Sequence, residues 1–351
     1  MAAAAADDLD VATALAEFHE SGGGVRWLVE SGITKVPRLF LLPDTPPPQA
    51  PPAAADDFAI PTVDLSLPRS VTAALIGAAA RSCGFFNVTN HGVPAATIAA
   101  AISAARAFHE LPLHERSAFY SVTPVSTVAY STNPHPPELP NFPALPWRDT
   151  LSLCFLPPEH DLGGLPAACR DALHGYHRSL VELGKVMVAL LSEALGVGAE
   201  RLEEAMEVEA RLMGCHYYPP CPEPARVVGG REHTDPSLFT VLVQDGVGGL
   251  QVRRRGHDAA GGEGEWVDVA PVTGALLINI GDVLKHRVMV KSTQVARVSI
   301  ALFFNPAKCD ESDVFGPLPE LVTPERPARY QKIIFPEFMN FRRLSGHDGT
   351  S

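Results

Sequence analysis

Apolar residues recur at helical spacing over residues 8–30, and Gly22-Gly23-Gly24 interrupt the run. The spacing predicts two short helices there. Residues 41–57, LPDTPPPQAPPAAADDF, carry too much proline to pack and read as an extended linker. AIPTVDLS at 59–66 reads as a strand, 69–82 as a helix, and GFFNVTNHGVP at 84–94 as a strand and turn. Helical spacing returns over 95–120. Residues 121–146 are Pro-rich and irregular, and end at WRDTL. A long helix is predicted over 165–196 and a shorter one over 199–208.

From Arg211 onward the texture changes. RLMGCHYY, LFTVLVQD, GGLQVRR, EWVDVAP, GALLINIGD, HRVMV and RVSIALFFNP are short, β-branched or aromatic, and bounded by Gly, Pro or Asp. Short strands at this rhythm predict an antiparallel barrel or jelly roll. A tail at 324–344 is predicted helical. The fold class is therefore α+β. The expected divisions are a helical segment at 1–40, the linker at 41–57, a helical and mixed region at 58–205, a β core at 206–310 and a helical tail at 311–351. No internal repeat is present.

The 351 residues are 46% apolar, enough for a sizeable core. Lys and Arg number 28 against 40 Asp and Glu, a net charge of −12, which argues against a nucleic-acid or anionic-membrane surface. The basic run Arg253-Arg254-Arg255 adjoins a Gly-rich stretch and reads as a solvated hairpin tip. No apolar run approaches a membrane span. The N-terminus is short and acidic, unlike a signal or transit peptide. Six scattered cysteines without a C-x-x-C pair read as reduced thiols. A cytoplasmic protein is expected, with the nucleus also open to it, and the long linker favours a monomer.

Candidate chemistry starts at REHTDPSLFTVLV. Residues two apart on a strand share a side, so His233 and Asp235 offer an imidazole and a carboxylate together. With a third ligand they would form a facial triad, leaving positions for a substrate, a co-substrate and O2. His286 opens another strand. Arg297 and Ser299 again share one face. A buried arginine needs an anion, and its own strand holds no acid. A small dicarboxylic acid bound bidentately would fit, with a hydroxyl from Ser299 and another from Tyr218. The plainer alternative is a core Asp from elsewhere in the chain.

GFFNVTNHGVP, WRDTL, YYPPCPEP, HTDPSLFTVLVQDGVGGLQV, WVDVAPVTGALLINIGD, HRV and ARVSIALFFNP occur in this order. Together they resemble the plant 2-oxoglutarate- and Fe(II)-dependent dioxygenases, above all the homologues of aminocyclopropane-carboxylate oxidase, a group that includes benzoxazinoid-modifying enzymes. The resemblance runs from about residue 10 to residue 350. It implies a double-stranded β-helix core wrapped by N-terminal helices. It implies Fe(II) on His233, Asp235 and His286, and 2-oxoglutarate on Arg297, Ser299 and Tyr218. O2 would be the oxidant, and ascorbate a reductant. The implied reaction hydroxylates or oxidises a small plant metabolite while 2-oxoglutarate is decarboxylated to succinate. His216 stands where many members have Asn. The family layout also puts Phe304 near substrate; Tyr130 and Trp147 read as bordering the pocket entrance or as plain packing.

One stretch departs from the family. Only Val283, Leu284 and Lys285 separate Asp282 from His286. Relatives have roughly ten more residues there, about one strand plus a turn. Two consequences are open: ALLINI and HRVMV pair directly, or the barrel loses an element and exposes an edge. Either could pull His286 from the metal. Three functions are therefore weighed: an active 2-oxoglutarate-dependent oxygenase, a dioxygenase-fold binding protein with an impaired site, and an ascorbate-dependent oxidase that does not use 2-oxoglutarate. His91 reads as a turn histidine rather than a ligand. His257 and Asp258 read as a solvated loop.

Overall fold

The computed structural model describes residues 2–42, 59–122, 127–132, 144–155, 162–254, 264–307 and 313–344. The linker at 41–57 falls almost wholly outside these residues, as do His257 and Asp258. The chain opens with α1 (Ala2–Glu20) and α2 (Gly24–Glu30). It continues through β1 (Thr62–Asp64), α3 (Arg69–Ser82), β2 (Phe85–Thr89), α4 (Ala95–His109) and the single turn α5 (Leu113–Arg116). Next come β3 (Val128–Ser131), β4 (Asp149–Cys154), α6 (Ala167–Leu195) and α7 (Arg201–Met206). The β core follows as β5 (Val208–Tyr218), β6 (Val228–His233), β7 (Phe239–Gln244), β8 (Leu250–Arg254), β9 (Glu265–Asp268), β10 (Leu276–Ile280), β11 (His286–Met289) and β12 (Arg297–Pro306). The tail holds β13 (Val314–Phe315), β14 (Ile333–Ile334) and α8 (Phe335–Leu344).

Two sheets face each other in a jelly roll. One has eight strands in the order β1-β2-β10-β7-β12-β5-β4-β3, and the other four in the order β6-β11-β8-β9. Only β1 against β2 is parallel. The main core lies between the eight-stranded sheet and helices α3, α4 and α6, where Phe108, Leu180, Met187, Ile278, Ile300 and Leu302 are buried. A smaller cluster between the sheets includes Phe85, Tyr218, Leu250, Val252, Leu284 and Val288. Because β12 is covered on both sides, it reads as an apolar run from Ile300 to Phe304, with Arg297 and Ser299 as its polar residues before that run.

Three expectations change. The helix predicted over 95–120 stops at His109, because Pro112 has no N–H to continue it and restarts the chain as α5. The tail is helical only from Phe335. The stretch ending at WRDTL supplies β3 and β4, which extend the large sheet beyond β5.

The shortened connection does neither thing expected of it. β10 pairs with β2 and β7, while β11 lies between β6 and β8 in the opposite sheet. Both strands keep two neighbours. Gly281–Lys285 simply crosses from one sheet to the other. The crossing is fastened to the His233–Asp235 segment: Asp282 N–H donates to the Asp235 carbonyl at 2.9 Å, and the Thr234 hydroxyl to Asp282 Oδ1 at 2.6 Å. A β-carbon on Gly281 would fall 1.6 Å from the Ser237 carbonyl oxygen, so only glycine admits this approach.

Candidate active site

His233 ends β6 and His286 opens β11, directly opposite each other in register. Their rings lie 4.2 Å apart between centroids. Asp235 follows β6 and turns its Oδ1 to within 3.6 Å of His233 Nε2 and 3.7 Å of His286 Nε2. One ligand atom from each residue fits within a 4.8 Å span, as a single metal ion requires.

Neighbours orient two of the three groups. His233 Nδ1 lies 2.7 Å from the Arg231 carbonyl, so it carries the proton and Nε2 is left as the bare nitrogen. Asp235 Oδ2 accepts from the Thr240 hydroxyl and from Asn279 Nδ2, both at 2.7 Å. Its other oxygen is thereby directed at the histidines. Burial alone would raise the Asp235 carboxyl, but His286 and His233 with these two donors hold it below the usual carboxylate range. His286 is placed differently. Its Nδ1 is buried without a partner among the described residues, and the edge of Phe85 meets its ring at 5.5 Å. Strand pairing on both sides fixes it instead.

Arg297 is 4% exposed and no carboxylate of the described residues pairs with it. The core Asp that might have matched it is Asp245. Asp245 instead takes Arg106 at 2.8 Å and the Val298 N–H. Arg297 donates to Ser299 Oγ at 3.0 Å and Gln244 Oε1 at 2.8 Å, its guanidinium lies 4.6 Å over the Tyr218 ring, and its Nε has no partner among the described residues. A buried cation with neutral partners and a spare donor is suited to an incoming anion. His216, one step along β5, holds Nδ1 3.0 Å from the Thr150 hydroxyl. Burial, then the Arg148 and Arg297 charges, pushes its imidazole well below the ordinary range and keeps it neutral.

Two expected pocket residues lie elsewhere. Phe304 is on the opposite face of β12 from Arg297 and Ser299; it stacks on Phe239 at 4.4 Å and meets α6 at Gly184. Alternation gives the inward position to half-buried Phe303, across from Thr240. Tyr130 is fully buried on the helix side. Its hydroxyl sits 2.9 Å from the Gly23 carbonyl and 3.0 Å from Asp149 Oδ2. Phe304 was misplaced because a one-residue shift in strand alternation exchanges core for cavity; Tyr130 lies in a stretch read as irregular that the structure folds into β3. Trp147 is also core, with Nε1 donating to the Pro219 carbonyl at 3.1 Å. His91 caps its own turn, accepting from Val93 N–H at 3.1 Å. The sequence reading passed over Thr240, Asn279 and Gln244. The signal was there in Asn279, a lone amide inside the apolar strand LLINI.

A jelly roll with two histidines and one carboxylate side by side, and a buried arginine that no carboxylate of the described residues pairs with, defines a non-haem iron oxygenase. Residues 210–306 match the 2OG-Fe(II) oxygenase superfamily, and residues 60–170 match the N-terminal region of non-haem dioxygenases in morphine synthesis. The chain is 38% identical over 360 residues to 1-aminocyclopropane-1-carboxylate oxidase homolog 1 of Arabidopsis thaliana, covering 98% of this chain and 95% of that one. Homolog 3 of the same plant is 37% identical, covering 97% and 95%. Among solved structures, JOX2 in complex with 2OG, Fe and JA superposes with a TM-score of 0.76 at 30% identity, covering 91% of this chain and 93% of that one. A rice dioxygenase for auxin oxidation gives a TM-score of 0.65 at 26% identity, covering 82% and 96%. The chain belongs to the 2OG-Fe(II) oxygenase superfamily. It is a 2-oxoglutarate-dependent dioxygenase, with iron and 2-oxoglutarate as its cofactors, and this sets aside the ascorbate-only alternative.

Proposed function

We propose that His233, Asp235 and His286 hold the iron, and that Arg297, Ser299 and Tyr218 hold the distal carboxylate of 2-oxoglutarate. The enzyme hydroxylates or otherwise oxidises a small plant metabolite. The observation that carries this reading is His286: despite the short crossing, its Nε2 stands 3.7 Å from Asp235 Oδ1. That position also speaks against an impaired two-ligand site. When bound, iron with 2-oxoglutarate supplies the oxidising power, consuming O2 and releasing CO2 and succinate.

The chain's residues do the rest. Thr240 and Asn279 occupy Asp235 Oδ2, so Oδ1 is the oxygen the carboxylate would offer to the ion. The Arg231 carbonyl fixes the His233 tautomer. Arg297 and Ser299 fix one end of the keto acid, which sets the reach of its other end towards the triad. The aliphatic and aromatic lining from Phe85, Val252 and Val288 keeps bulk water from the interior. Among the described residues no helix is long and apolar enough to cross a membrane. The five described cysteines are all free, which supports a reducing, cytoplasmic setting.

The test is anaerobic titration of metal-free protein with Fe(II) in the presence of 2-oxoglutarate, followed by visible absorption. A charge-transfer band is expected for the native chain. His286→Ala should abolish it at the same iron concentration. A folded native protein that gives no band would overturn the reading.

A further inference from the structure

Besides the contact of Thr150 with His216, the WRDTL stretch delivers a second arginine to the site. Arg148 directly precedes β4, which pairs with β5 so that Thr150 faces His216 and Asp149 faces Tyr217. Continuing that alternation sets Arg148 on the same face as His216, Tyr218, Arg297 and Ser299. Its side chain reaches across to the other sheet: Nη1 stands 3.6 Å from where a β-carbon of Gly230 would be. Its Nε is buried and has no hydrogen-bond partner among the described residues. No carboxylate among the described residues pairs with it. Continuing the β4–β5 register sets it beside Tyr218, and its charge acts on that hydroxyl.

Hydrogen-bond direction gives that contact a consequence. A guanidinium has only donors, so Arg148 must donate and the Tyr218 oxygen must accept. The phenolic proton of Tyr218 is then turned away from Arg148, towards the Arg297 and Ser299 side. Burial would raise the Tyr218 phenol, but the Arg297 and Arg148 charges and the bonds from Arg148 and Ser299 outweigh it and leave it below its ordinary range. A phenol of that kind is a stronger donor to an anion.

We propose that Arg148 is a positioning residue for 2-oxoglutarate: it holds the Tyr218 hydroxyl as a donor to the distal carboxylate and adds a second positive charge behind Arg297. This rests on the reading of Arg297, Ser299 and Tyr218 as the co-substrate pocket. Arg148 acts through Tyr218 and touches no reacting atom.

The test compares two keto acids on the iron-loaded, anaerobic enzyme. 2-Oxoglutarate carries the distal carboxylate; 2-oxopentanoate has the same chelating end without it. Arg148→Gln should weaken 2-oxoglutarate about 10- to 100-fold, the worth of one charge-assisted hydrogen bond, and change 2-oxopentanoate less than about twofold. Arg148→Lys should recover part of the loss, since the charge is kept and the fork is not. In the Tyr218→Phe background, Arg148→Gln should add little, because the two groups act as a unit. Equal weakening of both acids would mean that Arg148 only supports the fold. Full additivity with Tyr218→Phe would mean that it does not act through Tyr218. Either result overturns the inference, as does an unchanged affinity for 2-oxoglutarate. Arg297→Gln is the control for the pocket itself. If it leaves 2-oxoglutarate affinity intact, the pocket reading is what has failed. If it weakens 2-oxoglutarate while Arg148→Gln does not, only the role of Arg148 has failed.

Discussion

Asp235 shows how much a site residue owes to side chains that no ligand motif contains. Its Oδ2 is occupied by Thr240 and Asn279 at 2.7 Å each, and this is what leaves one oxygen for the histidines. Asn279→Ala should therefore weaken iron binding about tenfold while leaving the three ligands in place. Equilibrium dialysis with Fe(II) under anaerobic conditions measures this; an unchanged affinity would mean that Thr240 alone suffices. The ligand pair itself was legible from its i, i+2 spacing, although Asp235 lies just past the end of β6 rather than within a strand. Asn279 stood out as a lone amide, but its meeting with Thr240 and Asp235 was not legible, since it comes only through the register of β7 against β10, where Thr240 faces Asn279. Arg297 was read as needing an external anion from its isolation within its own strand. That isolation persists in three dimensions because Asp245, next to Arg297's partner Gln244, is claimed by Arg106 and the Val298 N–H.

At the scale of elements, α2 is latched to the large sheet by one buried carboxylate. Asp149, at the start of β4, accepts from the Val25 N–H at 2.8 Å and the Arg26 N–H at 2.7 Å, which are unpaired donors of the first turn of α2. Thr132 donates to it at 2.6 Å, and the Tyr130 hydroxyl lies 3.0 Å away. Gly24, at φ 65°, allows the approach; a β-carbon there would stand 2.4 Å from Asp149 Oδ1. Asp149→Asn replaces one acceptor by an amide that faces these donors. It should cost about 2–3 kcal/mol and expose the segment joining α1 and α2 to protease. Chemical denaturation and limited proteolysis would show both effects; a stable, protease-resistant variant would deny the latch. The sequence offered WRDTL only as the end of an irregular stretch, because the partner of Asp149 lies 124 residues earlier in the chain.

For the molecule as a whole, the interface between helices and sheet sets an acid limit on stability. His109, at the end of α4, is fully buried, stacks on Tyr217 at 5.1 Å and lies 3.0 Å from the Cys215 carbonyl. Burial, aided by the charges of Arg116 and Arg26, pushes its imidazole from 6.5 to about 3, against the pull of that carbonyl. The folded protein thus holds it neutral where the unfolded chain would protonate it. Its contribution is complete above pH 6.5 and is lost progressively as pH falls from 6.5 towards 3. His216, depressed in the same direction, adds to the slope. Urea midpoints measured across this window should fall with pH, and His109→Gln should flatten the fall. An unaltered slope would place the acid sensitivity elsewhere.

The sequence by itself determined the strand texture after Arg211, the jelly-roll class, the His233–Asp235 pair and the unmatched Arg297. These depend on local spacing, on turn residues and on charge, all of which are written along the chain. The tertiary structure decided the rest. It showed that Gly281–Lys285 can cross between sheets and still deliver His286, because two hydrogen bonds to the His233–Asp235 segment fix the crossing in place of a hairpin. It also decided which face of β12 meets the cavity, giving Phe303 that side and sending Phe304 to α6. Alternation fixes which residues share a face, but only the packing of helices on one side of the sheet and strands on the other says which face is the interior of the site.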